Sequence, residues 1–340
     1  MIKRQVEISL EYQETIAAPP VSQAQLWQAA TSNDDITILS WREQWVRQIK
    51  ENKEHFGSFK DKGIGKLWNK YRNQPAIAIG SGPSLKWNAH DLKERGSVVT
   101  ISCLHNFHYL EDKGVGADYY VTLDAGELTL EEVYEGGEHD QDYYWNLTKG
   151  KTLLAFIGSY PPLLKKWQGE VIFFNAPIPN EEVTDEIDKI ETFVSYISTG
   201  GNVLGACVYI ARAVFGCNPI AFMGADFAFG YDQKFHGWDS KYDNRLGHAI
   251  RVTDVFGNKV STWSSYNNFK SFFDNMVCRV PGYWVNCSEG GTLGAYKEGN
   301  IAQIKQSSLK DFLLQWTIHE QLSPQFLEPD KREGKLPLLY

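Results

Sequence analysis

The chain has 340 residues, 42% of them hydrophobic and 22% charged, enough apolar content to bury a sizeable core and too much for a disordered chain. Its formal net charge of −8 excludes a general nucleic-acid binder, which needs a basic surface to displace the counterions of phosphates. No apolar run is long enough to cross a bilayer, Met1-Ile2-Lys3-Arg4 leads into a mixed polar stretch rather than a signal core, and the five cysteines show no Cys-x-x-Cys spacing. The expectation is a cytoplasmic protein with reduced thiols, no structural zinc, and neither a membrane span nor a nucleic-acid partner.

Taken in order, the chain opens with weak patterning broken by Pro19-Pro20 and an Asn33-Asp34-Asp35 turn signal. From Ile38 onward, Trp41, Trp45, Ile49 and Phe56 recur at near-helical intervals in a charged background, which predicts an amphipathic helix packed on the main domain. Residues 1–70 are read as a helical N-terminal extension, 71–322 as the main domain and 323–340 as an extended tail.

The main domain starts with the apolar run Pro75–Ile79, which breaks into Gly80-Ser81-Gly82-Pro83-Ser84 and resumes as a helix at Leu85. This reads as strand, tight turn and helix, with Pro83 suited to a first helical turn and amides facing outward as an anion site needs. A turn that is merely tight remains the alternative. Strands follow at Ser97–Ser102 and Ala117–Asp124, separated by a helical stretch from Cys103 to Lys113. Strands alternating with short helices predict a parallel sheet covered on both faces, with Gly80–Ser84, Ser102–Asn106 and Asp124 beyond the carboxyl ends of the strands. The acidic segment Glu127–Asp142 reads as a solvated excursion or lid, and Lys151–Ile157 and Glu170–Phe174 as further strands, with a turn at Ser159–Pro162 between them.

A second punctuated helix start stands at Ser198-Thr199-Gly200-Gly201-Asn202, followed by an apolar helix to Phe215 and a strand Pro219–Gly224 that ends in Ala225-Asp226. Two glycine-rich helix starts and two strand-end acids, Asp124 and Asp226, suit a diphosphate with a divalent ion; each acid also suits the capping of a turn. The aromatic loop 227–245 offers His236 as a general base, with His248 competing, and polar surface is the alternative for either. Short strands about Phe256-Gly257-Asn258, an aromatic helix Tyr266–Met276, a strand Tyr283–Asn286 and a helix over 308–321 complete the reading.

Four stretches, Ile77–Leu85, Asp118–Asp124, Thr199–Phe229 and Asn286–Gly294, together resemble the domain shared by archaeal 6-hydroxymethylpterin diphosphokinases and bacterial motility accessory factors, over about residues 71–312. The resemblance implies a Rossmann-like α/β fold, a mostly parallel sheet with helices on both faces, and transfer chemistry on a phosphorylated or nucleotide-activated donor. For the diphosphokinases that means ATP and Mg²⁺. The accessory factors are similar to sialyltransferases, which use a CMP-sugar, and the Asn106 position is reminiscent of that group. The expectation is therefore a nucleotide-dependent transferase acting on a small-molecule or glycan acceptor. Gly80, Ser81, Gly82 and Ser84 would form one phosphate jaw and Thr199, Gly200, Gly201 and Asn202 the other. Asn106 would contact the nucleotide, Asp124 and Asp226 would hold Mg²⁺, and His236 or Asp226 would move the proton. A glycosyltransferase and a non-catalytic binding module are the alternatives.

Overall fold

The computed structural model describes residues 41–178, 180–191, 194–241, 249–294 and 304–322. Most of the expected extension before residue 41, the tail from 323 and His248 lie outside the described residues.

Eight strands form one sheet: β1 Ala76–Ile79, β2 Val99–Cys103, β3 Tyr119–Thr122, β4 Thr152–Phe156, β5 Glu170–Phe174, β6 Ile220–Met223, β9 Trp284–Asn286 and β10 Ile304–Gln306. The pair β7 Ala249–Thr253 and β8 Lys259–Trp263 makes a separate antiparallel hairpin. The spatial order is β10-β9-β6-β1-β2-β3-β4-β5 and the pairings are parallel, as in Ala76 with Ile220 and Tyr119 with Thr152. Strands buried on both faces need unbroken apolar runs rather than alternation. Accordingly β1 (Ala-Ile-Ala-Ile) and β6 (Ile-Ala-Phe-Met) are buried at every position. The α/β sheet expected from the sequence is the one observed.

The helices are α1 (residues 41–56), α2 Leu85–Asn88, α3 Phe107–Asp112, α4 Gln141–Leu147, α5 Pro161–Lys166, α6 Glu181–Ile190, α7 Val203–Tyr209, α8 Ser264–Arg279 and α9 Leu309–Leu322. A π-helical turn, Ile210–Val214, extends α7. Five elements differ from the sequence reading. The turn expected at Ser159–Pro162 becomes α5, with Pro161 at its first turn. The acidic excursion folds into a 3₁₀ turn, Glu127–Val133, and α4, pinned by the buried Thr129, Val133, Tyr144 and Trp145. β10 is too short to announce itself, and α6, with Val183, Ile187 and Ile190 at helical spacing behind the Asn180 cap, was not expected.

The chain divides into two compact units. Among the described residues, the first comprises residues 71–100 and those from 216 onward, and the second residues 41–70 and 101–215. In the first, β1, β6 and β9 form the centre of the core, with Phe222 stacked on Trp284 at 5.9 Å and edge-on to Phe273 at 5.7 Å. In the second, α1 packs on strand ends as its aromatic spacing predicts. Trp45 meets Phe156 edge-on at 6.5 Å, Phe56 meets Phe173 at 5.2 Å, and Ile49 is fully buried. The same helix turns amides toward exposed loop carbonyls: Gln44 and Gln48 both donate to the Ala125 carbonyl, at 2.6 and 2.9 Å.

Candidate active site

In the first unit, three of the motifs singled out in the sequence interlock. β1 and β6 lie side by side, and the loops that leave them stay paired: the Gly80 amide donates to the Met223 carbonyl (2.8 Å) and the Gly82 amide to the Gly224 carbonyl (2.9 Å). Asp226 follows at once, buried, and its Oδ2 accepts from the Ser84 hydroxyl at 2.7 Å and more weakly from the Ser84 amide at 3.4 Å. Position 82 must be glycine for a steric reason, since a Cβ there would overlap both Asp226 Oδ2 and the Gly224 carbonyl. The third motif closes over the far side. Thr292 N–H donates to the Asp226 carbonyl (2.7 Å), and Ala225 N–H donates to Ser288 Oγ (2.9 Å).

Burial pushes the Asp226 carboxyl up from its ordinary value to about 7, while the hydrogen bonds from Ser84 oppose that rise. A carboxyl poised near neutrality can accept and return a proton at working pH.

This arrangement corrects part of the expected phosphate jaw. Gly82 and Ser84 are buried and their amides already have acceptors inside the protein, so the loop turns only Ser81 toward solvent. The anion expected in the turn is matched by the carboxylate of Asp226. Asp226 is therefore a poor metal ligand: its Oδ2 is held by Ser84 and its surroundings are closed.

His236 is half-buried in the loop beside this turn. The next residue, Gly237, donates its amide to the Ser81 carbonyl at 3.2 Å, and the imidazole packs against Trp238 (5.1 Å) and the edge of Phe235 (5.2 Å). Part of the aromatic loop expected as substrate-contacting surface packs on β8 and α8, while Tyr231 stays exposed. Phe235 stacks on Tyr266 at 4.5 Å and on Trp263 at 4.9 Å.

The second unit carries the remaining expected residues. Gly200 and Gly201 adopt positive φ (57° and 77°), and Asn202 caps α7 by accepting from the Gly205 amide at 2.8 Å. Thr199, Gly200, Gly201 and Asn202 all keep solvent contact, unlike Gly82 and Ser84. Asn106, by contrast, is fully buried and donates to Ser102 Oγ at 2.9 Å, so its amide braces the end of β2. Asp124, two residues past β3, is open to solvent yet hemmed in by protein. That enclosure raises its pKa, and His105 opposes the rise.

Sequence reading missed the groups around Asp124. Glu132 is held well above the usual carboxylate range by burial, then by Asp124 and by Cys103. His105 lies at ion-pair distance from Glu135, 3.8 Å. His108 is lowered to about 4, first by burial and then by His105. The available signal was the spacing of Glu132 and Glu135 in the excursion, which in a helical turn shares one face. Among the described residues no group of three or more His, Cys, Asp or Glu is placed to hold a metal. A magnesium ion that arrives with nucleotide phosphates needs only one or two protein carboxylates. Asp124 is the accessible strand-end carboxylate of the two that were expected to supply one.

Residues 44–232 match the 6-hydroxymethylpterin diphosphokinase MptE-like family, more than half of the chain. The chain belongs to this family. The matched region begins inside α1, takes in β1 to β6, and reaches past Asp226. It starts earlier and stops sooner than the expected 71–312. Among solved structures, a MAf glycosyltransferase from Magnetospirillum magneticum AMB-1 is similar at 15% identity and a TM-score of 0.49. That similarity covers 78% of this chain and 42% of the other, so the chain spans less than half of that protein's length. No curated protein matches the sequence. No helix among the described residues is long and apolar enough to cross a membrane.

Proposed function

We propose that the chain is a nucleotide-dependent transferase that moves a diphosphoryl group from ATP to an alcohol acceptor. Family membership makes a transferase-like protein the starting point. The observation that carries the reading further is Asp226, a buried carboxyl near neutrality locked to Ser84 at the carboxyl ends of β1 and β6. In diphosphoryl transfer the acceptor oxygen bonds to the β-phosphorus, the bond to the α-phosphate oxygen breaks, AMP leaves and the acceptor proton needs a home. Asp226 would take that proton by relay, receiving the Ser84 hydroxyl proton at 2.7 Å while Ser84 takes the one from the acceptor. The second unit offers the turn Thr199–Asn202 at the start of α7, which keeps solvent contact; the Gly201 and Asn202 amides donate to Thr199, so the Thr199 hydroxyl proton is the donor that suits a phosphate oxygen there. Asp124 is the carboxylate that an ion arriving with the donor would meet, and no step is assigned to that ion.

Calorimetry on the full chain tests this. ATP is expected to bind with or without Mg²⁺, and Gly201→Val, which forces a side chain onto a left-handed backbone, to weaken it about tenfold, or ~1.4 kcal/mol. Exclusive binding of cytidine nucleotides would replace the diphosphokinase reading by a glycosyltransferase. Binding of neither nucleotide would end the transferase reading.

A further inference from the structure

Within the second unit, α1 and the loops after β3 and β4 are tied into a closed ring of hydrogen bonds. Gln48 Nε2 donates to the Ala125 carbonyl, and Asn52 Nδ2 donates to the carbonyls of both Ile157 and Ser159, each at 2.9 Å. The Tyr160 amide closes the ring by donating to the Asp124 carbonyl at 3.1 Å. Gln48 and Asn52 stand four residues apart and so share a helix face. With both amide nitrogens facing carbonyls, the outer end of each side chain is necessarily oxygen.

Three polar atoms on this ring meet no protein partner: Gln48 Oε1, Asn52 Oδ1 and the Ser159 hydroxyl oxygen. They belong to residues only 2%, 0% and 0% exposed. Native proteins match nearly every such atom.

We propose that these three groups hold one internal water, which donates to Gln48 Oε1 and Asn52 Oδ1 and accepts from the Ser159 hydroxyl. Two acceptors and one hydroxyl donor are the complement of a water making three bonds, the usual number for a buried one. The set carries no formal charge, which favours a neutral guest over a cation. The water ties α1 to the loop that begins with Ile157, while Gln48 ties the same helix directly to the loop that carries Asp124 through the Ala125 carbonyl. If Asp124 meets the donor, as proposed above, α1 becomes a positioning element for it; the water site itself stands without that reading.

The test is a double-variant cycle on the full chain, read by thermal unfolding. Gln48 and Ser159 make no bond to each other, so they should act independently unless a guest joins them. Ser159→Ala is expected to lower the midpoint by about 2–4 °C. Gln48→Leu with Ser159→Ala should fall short of the sum of the single effects, because one water is lost only once. A midpoint that is unchanged or raised in Ser159→Ala, or effects that simply add, overturns the proposal. So does a midpoint that climbs with K⁺ or ammonium at constant ionic strength, which assigns the site to a cation. Should Gln48→Leu fail to fold, oxygen-17 relaxation dispersion on the wild type and Ser159→Ala decides: loss of one long-lived water supports the site, and equal counts overturn it.

Discussion

Asp226 marks where the reading of a single side chain from sequence stops. Its place just past a strand is plain in the sequence, but its distance to Ser84 depends on β6 returning beside β1, which local pattern does not encode. The same applies to Gly82, legible as a tight turn although the group it makes room for lies far along the chain. The raised pKa has a consequence for stability. Folded Asp226 keeps its proton up to about pH 7, whereas the unfolded side chain ionises near 3.8. Between those values the folded state binds more protons, so this group's contribution to stability falls as pH rises and levels off above about 7. At about 1.4 kcal/mol for each pH unit, a rise of roughly three units amounts to about 4 kcal/mol. Asp226→Asn keeps an oxygen for Ser84 and has no charge to bury. It is expected to be more stable than wild type at pH 8, about equal at pH 4, and depleted in transfer activity. Denaturant midpoints at the two pH values check this, and a wild type as stable at pH 8 as at pH 4 would remove the argument.

Among the elements, those with strong local signals were legible: β1 to β6 by their apolar runs, α1 by its tryptophans, α7 by its glycines and its cap. α6 was not, although Val183, Ile187 and Ile190 recur at helical spacing behind the Asn180 cap, because its acidic surroundings read as solvated loop. β10 was not, because three residues give a period of two nothing to repeat. Part of the aromatic loop was misread because ring content is alike for a binding surface and a packed cluster; Phe235 against Tyr266 is the latter. At α7, Asn202 Oδ1 satisfies the Gly205 amide and its Nδ2 satisfies the Gly200 carbonyl, so one residue both caps the helix and fixes the glycine turn. Asn202→Ala should cost about 1 kcal/mol. Asn202→Asp keeps the cap while adding a negative charge at the proposed phosphate contact. It loses the donor to the Gly200 carbonyl but should still be more stable than Asn202→Ala while binding ATP more weakly than that variant does, a split that melting curves and calorimetry together resolve.

For the whole molecule, parallel α/β architecture and family were both within reach of the sequence, while the partition into units was not. Residues 1–70 read as a helical extension whose aromatic face packs on the main domain, and from residue 41 onward the segment is built into the second unit through Phe59 against Phe173 at 4.6 Å and the amide contacts of Gln44, Gln48 and Asn52. A chain lacking residues 1–57 is accordingly expected to expose Phe173 and the loop carbonyls and to lose cooperative unfolding. A sharp transition at the wild-type midpoint in scanning calorimetry would return the segment to the status of an appendage.

The order in which the sheet is threaded has a consequence for synthesis. β1 takes one neighbour, β6, from beyond the entire Ile101–Phe215 stretch that makes up most of the second unit. A nascent chain leaving the ribosome can therefore assemble that inserted body while Ala76–Ile79 waits, one edge still open, for Ile220–Met223 to emerge. Throughout that interval the growing polypeptide carries an unzipped apolar ribbon, the stage at which a chaperone has most to protect.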